Sequence, residues 1–144
     1  MNAVLLDADI ILDAMTDRKP FSQDAILILD LCEKREIYGY TTPVILINLY
    51  YLLRRLGMKH DEILNHFKNL VHHILFDIAV IDKKSILDAL DSGFSDFEDA
   101  LQNFSAESHS KITTIITRNT KDYRKSNLAV MNPKEFLSSL ELGI

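Results

Sequence analysis

The chain has 144 residues, 47% of them hydrophobic, a single cysteine and a formal charge of −5. Those values suffice for one buried core and point to a single domain over residues 1–144. The lone Cys32 excludes a disulfide framework and favours a reduced, cytoplasmic setting, while the acidic balance excludes a uniformly basic nucleic-acid-binding surface without excluding a local basic patch.

The opening MNAVLLDADIILDAM has no basic lead and is broken by acids. It reads as neither a signal peptide nor a membrane span, so the mature chain is expected to start here and no membrane partner is expected. Ala3 to Leu6 is a buried-strand run that Asp7 terminates, and the chain then turns helical. Asp9 suits either a ligand position or the cap of that helix, and Asp13 reads as surface. Ser22 begins a helical pattern through Ala25, Ile28 and Cys32, with Cys32 as core filler. Ile37 to Thr41 suits a second strand. Thr42 caps and Pro43 opens a helix through VILINLYYLLRR, which Gly57 stops and which should bury nearly all round. Asp61 to Ile74 reads as another helix and Phe76 to Ile81 as a third strand. Asp82 caps a helix through Leu90, and Ser95 or Asp96 starts one running to about His109. Thr113 to Thr117 and Leu128 to Met131 complete the strands before a helix from Pro133. Strands separated by helices predict a three-layer α/β/α sandwich with a mostly parallel central sheet of four or five strands.

In such sheets ligands collect at the carboxyl ends of the strands. Asp7 occupies that position directly, and the loop RNTKD after the strand TTIIT offers Thr117, Asn119 and Asp122 at the same edge if the two strands run parallel. Asn and Asp are also ordinary turn residues. On the helix near Asp96, apolar Phe97, Ala100, Leu101 and Phe104 share one face while Asp96, Asp99 and Asn103 recur along its flank. Two acids one turn apart can reach one ion, although Asp96 and Glu98 also suit the first turn of any helix. An oxygen-rich set of this kind matches Mg²⁺ or Mn²⁺ and implies chemistry on phosphate esters. Apart from its tyrosines, the helix from Pro43 to Leu53 carries one polar residue, Asn48, which must bond within the core or face the acids. Arg54, Arg55, Lys121, Arg124 and Lys125 read as solvated charge, or together as contacts to a phosphodiester backbone. His72 and His73 are adjacent and diverge on a helix, so zinc carries little weight.

Taken in order, LLDADIILDAM, TTPVILINLYYLLRR, DFEDALQ, TRNTKDY and MNPKEFL resemble the PIN domain, the fold of many VapC-type toxin ribonucleases, over nearly the whole chain. The resemblance implies metal binding by Asp7, Asp99 and Asp122 with Asp96 close by, Asp9 and Asn48 supporting, and Thr117 and Asn119 shaping the loop. It implies Mg²⁺- or Mn²⁺-dependent cleavage of single-stranded RNA, a small antitoxin partner and a homodimer. Asn48 stands where the family usually has Glu, so one metal-supporting charge is missing; Asn48→Glu is then expected to tighten Mn²⁺ binding and speed cleavage.

Two rivals follow from the same residues. DADI after a strand also resembles the first motif of haloacid dehalogenase-type phosphatases, with Asp7 as nucleophile and Asp9 as general acid, though DFEDALQ fits that order worse. The other is a catalytically impaired PIN-like module that binds RNA or a partner protein, which Asn48 suggests.

Overall fold

A computed structural model describes residues 2–141. Five strands, β1 (Ala3–Leu6), β2 (Tyr38–Thr41), β3 (Asp77–Ile78), β4 (Ile112–Ile116) and β5 (Ala129–Met131), form one sheet in the order β3-β2-β1-β4-β5. Every pairing is parallel. Seven α-helices cover the sheet: α1 (Ala8–Met15), α2 (Ser22–Glu33), α3 (Pro43–Arg55), α4 (His60–Asn69), α5 (Lys83–Leu90), α6 (Phe97–Ser108) and α7 (Pro133–Glu141). This is the expected α/β/α arrangement, and it explains why β1 reads as an unbroken apolar run: all four of its residues are buried between helical layers.

The strand order reverses at β1. From β1 the chain proceeds to β2 and β3 on one side, then returns to place β4 and β5 on the other. The carboxyl ends of the adjacent strands β1 and β4 therefore flank the crevice where an open parallel sheet receives its ligands. Leu6 pairs with Ile116, so Asp7 and Thr117 emerge side by side.

Several boundaries differ from the sequence reading. The third strand shrinks to Asp77–Ile78 because it is an edge element paired only with β2. The expected helix to Ile74 is α-helical only to Asn69, and Leu70–Ile74 forms a π-helical turn. Helix α3 is not buried all round: Ile45, Leu49 and Leu53 face the core, whereas Ile47 and Tyr51 are 59% and 61% exposed. Its apolar sequence conceals an ordinary one-sided helix.

The core runs from β1 through α1, α2 and α3, and buried Cys32 is part of it. Burial pushes its thiol up to about 12, consistent with packing rather than reactivity. Gly39 in β2 is required by this contact, because a Cβ there would stand 2.7 Å from the Cys32 sulfur.

Candidate active site at the carboxyl edge of the sheet

Asp7 ends β1 and caps α1 without an intervening loop. Its Oδ1 accepts from the Ala8 N–H at 2.8 Å, satisfying one of the helix's free donors. Its Oδ2 accepts from the Thr117 hydroxyl at 2.9 Å and from the Tyr123 hydroxyl at 3.3 Å. Asp7, not Asp9, is thus the cap. Asp9 lies in the first turn of α1, where its Oδ2 accepts from the Arg118 N–H at 3.0 Å and, more distantly, from Thr117 at 3.4 Å. Asp9 Oδ1 is buried without a partner among the described residues.

The second group of acids arrives on α6. Asp96 is its N-cap and accepts from the Asp99 N–H at 2.9 Å, as the cap reading expects. Glu98 accepts from the Asn48 amide at 2.7 Å, which answers where that side chain of α3 points. Thr42 fixes the same pair of helices: its hydroxyl accepts from the Ile45 N–H and donates to Gln102 Oε1 at 2.6 Å. Asp122 comes from the short 3-10 turn Thr120–Tyr123 after β4. The Asn119 N–H donates to the Thr117 hydroxyl, which turns that loop back toward Asp7.

These acids share one electrostatic field. Burial raises Asp99 to about 7, with further contributions from Asp96, Asp7, Asp122 and Glu98. Asp9 rises to about 6 through burial and the neighbouring Asp7 charge. Asp7 is raised mainly by burial, against the pull of its hydrogen bonds. Tyr123 is pushed upward by burial and by Asp7 and Asp99, so its hydroxyl keeps its proton and serves as a donor. None of Asp7, Asp9, Asp96, Glu98, Asp99 or Asp122 forms an ion pair among the described residues.

No three His, Cys, Asp or Glu side chains among the described residues converge closely enough to hold an ion directly. The donor set nevertheless suits a hard cation: it is all oxygen, forms no ion pair among the described residues, and includes a buried carboxylate oxygen without a partner. Mg²⁺ in particular retains several waters and needs only one or two direct carboxylates.

The remaining residues divide. Lys121, Arg124 and Lys125 line a small cavity of about 160 Å³ with Asp122 and the Gly93–Ser95 segment, so this part of the basic set sits beside Asp122. Arg54 and Arg55 do not. They are exposed at the far end of α3, about 18 Å along the axis from Pro43 at 1.5 Å per residue. Asp13, read as surface, is fully buried and paired with Arg118, whose Nε donates to Asp13 Oδ2 at 2.6 Å. Its position on α1 faces the loop after β4, which periodicity within one helix cannot reveal. Asn48 takes the second of its two expected positions, facing an acid, Glu98; Arg118 and Tyr123 join the site through contacts between distant elements, and the adjacency of Tyr123 to Asp122 is the one sequence signal for the latter.

An all-parallel α/β sheet with acids gathered at its switch point defines the class of the molecule. Residues 3–121 match the family model described as "PIN domain", and the chain belongs to that family of nucleases. This membership displaces the haloacid dehalogenase-type reading. Among solved structures, the chain is similar to one in the FitAB complex bound to an IR36 DNA fragment, with 17% identity, coverage of 90% of this chain and 94% of the other, and a TM-score of 0.59. VapBC2 from Rickettsia felis, bound to a DNA fragment from its promoter, gives 16% identity, 90% and 98% coverage and 0.63. FitAcB from Neisseria gonorrhoeae gives 19% identity, 91% and 98% coverage and 0.56. These likenesses establish the fold. No curated protein matches the chain by sequence.

Proposed function

We propose that this chain is a Mg²⁺- or Mn²⁺-dependent endoribonuclease acting on single-stranded RNA, and the toxin of a toxin–antitoxin pair. The observation that carries the reading is the acid set at the β1–β4 crevice, where Thr117 and Tyr123 hold Asp7 beside Asp9 and no ion pair among the described residues balances either carboxylate. Asp7, Asp99 and Asp122 would hold a divalent ion, which when bound would supply Lewis acidity for water activation and for the charge on the scissile phosphate.

The chain's own contribution is positional. Asp7 is locked by Ala8, Thr117 and Tyr123 and offers a carboxylate of fixed orientation. Asp99 must release the proton it retains near neutrality before it can act as a ligand, so metal loading is linked to pH. Lys121, Arg124 and Lys125 beside Asp122 supply cations for the RNA backbone, contacts that place substrate without reading its sequence. The similar chains of known structure come from the FitAB and VapBC2 complexes, which supports a small antitoxin partner here. A homodimer is part of the same proposal. No helix among the described residues is long and apolar enough to cross a membrane.

The test is direct. Purified protein should cut unstructured RNA with Mn²⁺ or Mg²⁺, chelator should stop it, and Asp7→Asn should abolish cutting with the circular dichroism unchanged. Wild-type protein that binds RNA without cutting it would overturn the nuclease reading in favour of a non-catalytic module.

A further inference from the structure

A second cleft opens beside the loop after β4. It has a volume of about 510 Å³ and is lined by Phe21 and Asp24 at the start of α2, by Arg118, and by Asn132, Pro133 and Lys134 at the start of α7. Arg118 joins the cleft to the acid set, because its backbone N–H donates to Asp9 Oδ2 at 3.0 Å. Its guanidinium spends Nε and Nη2 on Asp13; Nη1 has no acceptor among the described residues and is not one of the buried unpaired atoms, so it reaches solvent. Phe21 lies under that guanidinium, 4.2 Å from ring centroid to guanidinium carbon, and is still 38% exposed. Asp24 is partly exposed and forms no ion pair among the described residues.

An aromatic ring, an accessible guanidinium and an unpaired carboxylate around one cleft complement a particular nucleobase. Unstacked bases of single-stranded RNA are held by stacking on aromatic rings and guanidinium planes and by hydrogen bonds to their edges. Guanine alone among the four combines two adjacent N–H donors, on N1 and N2, with an edge of two acceptors, O6 and N7. The donor pair suits the Asp24 carboxylate, which when ionised only accepts, and the acceptor edge suits the Arg118 guanidinium. Adenine and cytosine set an amino donor beside a ring acceptor, and uracil sets its N–H between two carbonyls, so each would turn a lone pair toward the carboxylate. We propose that this cleft seats a guanine base of the RNA, with Phe21 as the stacking residue and Asp24 as the residue that sets base preference. Exposed Lys134 at its rim supplies a cation for the accompanying phosphate. The inference rests on single-stranded RNA as the substrate, and it adds base selection to backbone contacts that read no sequence.

The experiment is NMR titration of the full chain, in chelator, with 5′-GMP, AMP, CMP and UMP, for wild type, Asp24→Asn and Phe21→Leu. Arg118 is left in place because it also pairs with buried Asp13. Wild type is expected to shift the resonances of the cleft residues with GMP and to bind GMP about 10-fold more tightly than AMP, the scale of one bidentate base contact. Asp24→Asn should bring GMP and AMP to within about 2-fold of each other, because the paired acceptors are gone. Phe21→Leu should weaken GMP by about 10-fold through loss of the stack. If Phe21→Leu fails to fold by circular dichroism, Asp24→Asn decides. No binding by wild type, equal affinity for the four nucleotides, shifts confined to other surfaces, or a GMP preference unmoved in Asp24→Asn each overturns the subsite. Chelated protein scores binding apart from cleavage, so the two readings fail separately. A GMP preference in protein that never cuts RNA with Mn²⁺ overturns the nuclease reading and supports the subsite, whereas Mn²⁺-dependent cutting with no preferred G at a fixed distance from the cut overturns the subsite alone.

Discussion

Arg118 reaches two acids of α1 at once: its backbone N–H holds Asp9 Oδ2 at 3.0 Å, while its Nε holds the fully buried Asp13 Oδ2 at 2.6 Å. Its guanidinium also lies 4.2 Å from the centroid of the Phe21 ring. One residue thereby ties the loop after β4 to the helix after β1.

Removing that guanidinium leaves Asp13 buried and alone. Arg118→Met should destabilise the fold by about 3–5 kcal/mol in denaturant titration, the usual consequence of breaking a buried pair from one side. The double variant Asp13→Leu/Arg118→Met should recover most of the loss, because no uncompensated charge remains. A loss below about 1 kcal/mol in Arg118→Met would show that the pair is not structural.

Thr117 orients Asp7 at the carboxyl edge of the sheet. Thr117→Val keeps the volume of the side chain but removes the donor to Asp7 Oδ2 and the acceptor for the Asn119 N–H. RNA cleavage should fall by about 10-fold or more with the thermal midpoint nearly retained, since groups that orient metal ligands act on affinity and rate before stability. Unchanged cleavage would place Asp7 outside the reaction.

The sequence disclosed the site unevenly, for physical reasons. Asp7 was legible because an acid immediately after a buried strand has one possible location, the sheet edge, and parallel pairing then brought Thr117 and Asp122 to it. Asp99 was legible from helix periodicity. Arg118, Asp13 and Glu98 were not, because each depends on a contact between elements far apart in sequence: Arg118 with Asp13 across 105 positions, and Asn48 with Glu98 across 50. The Asn48–Glu98 bond bears on the expected effect of Asn48→Glu, because an acid at position 48 would face the Glu98 carboxylate. The exposure of Ile47 and Tyr51 was hidden for a simpler reason: a helix apolar on every side gives no periodic signal of which side packs.

Proton linkage provides a test free of any substrate. Asp99 titrates near 7 in the folded chain against an ordinary 3.8, and Asp9 near 6. Between about 3.8 and 7 the native state therefore binds more protons than the unfolded chain, and stability falls as pH rises through that window. Chelated protein should melt at a higher temperature at pH 5.5 than at pH 7.5, roughly the two sides of the Asp99 transition. Saturating Mn²⁺ should raise the pH 7.5 value preferentially, because binding requires the deprotonated acids. A chelated protein that gains stability between these pH values would contradict the shared field.

Gly39 tests the core beneath the site. A Cβ there meets the Cys32 sulfur at 2.7 Å, so Gly39→Ala should cost about 1–3 kcal/mol through overpacking. Pairing it with Cys32→Ala should recover part of that loss in denaturant titration. Equal stability of Gly39→Ala and wild type would show that β2 and α2 can separate freely.

The central claim, that distant acids form one cation-binding centre at the β1–β4 edge, is tested most directly by anomalous diffraction from a crystal soaked in Mn²⁺. The account predicts an anomalous peak bounded by Asp7, Asp99 and Asp122, lost in Asp7→Asn crystals. A well-ordered crystal with no Mn²⁺ peak there, or with Mn²⁺ bound only elsewhere, would contradict it.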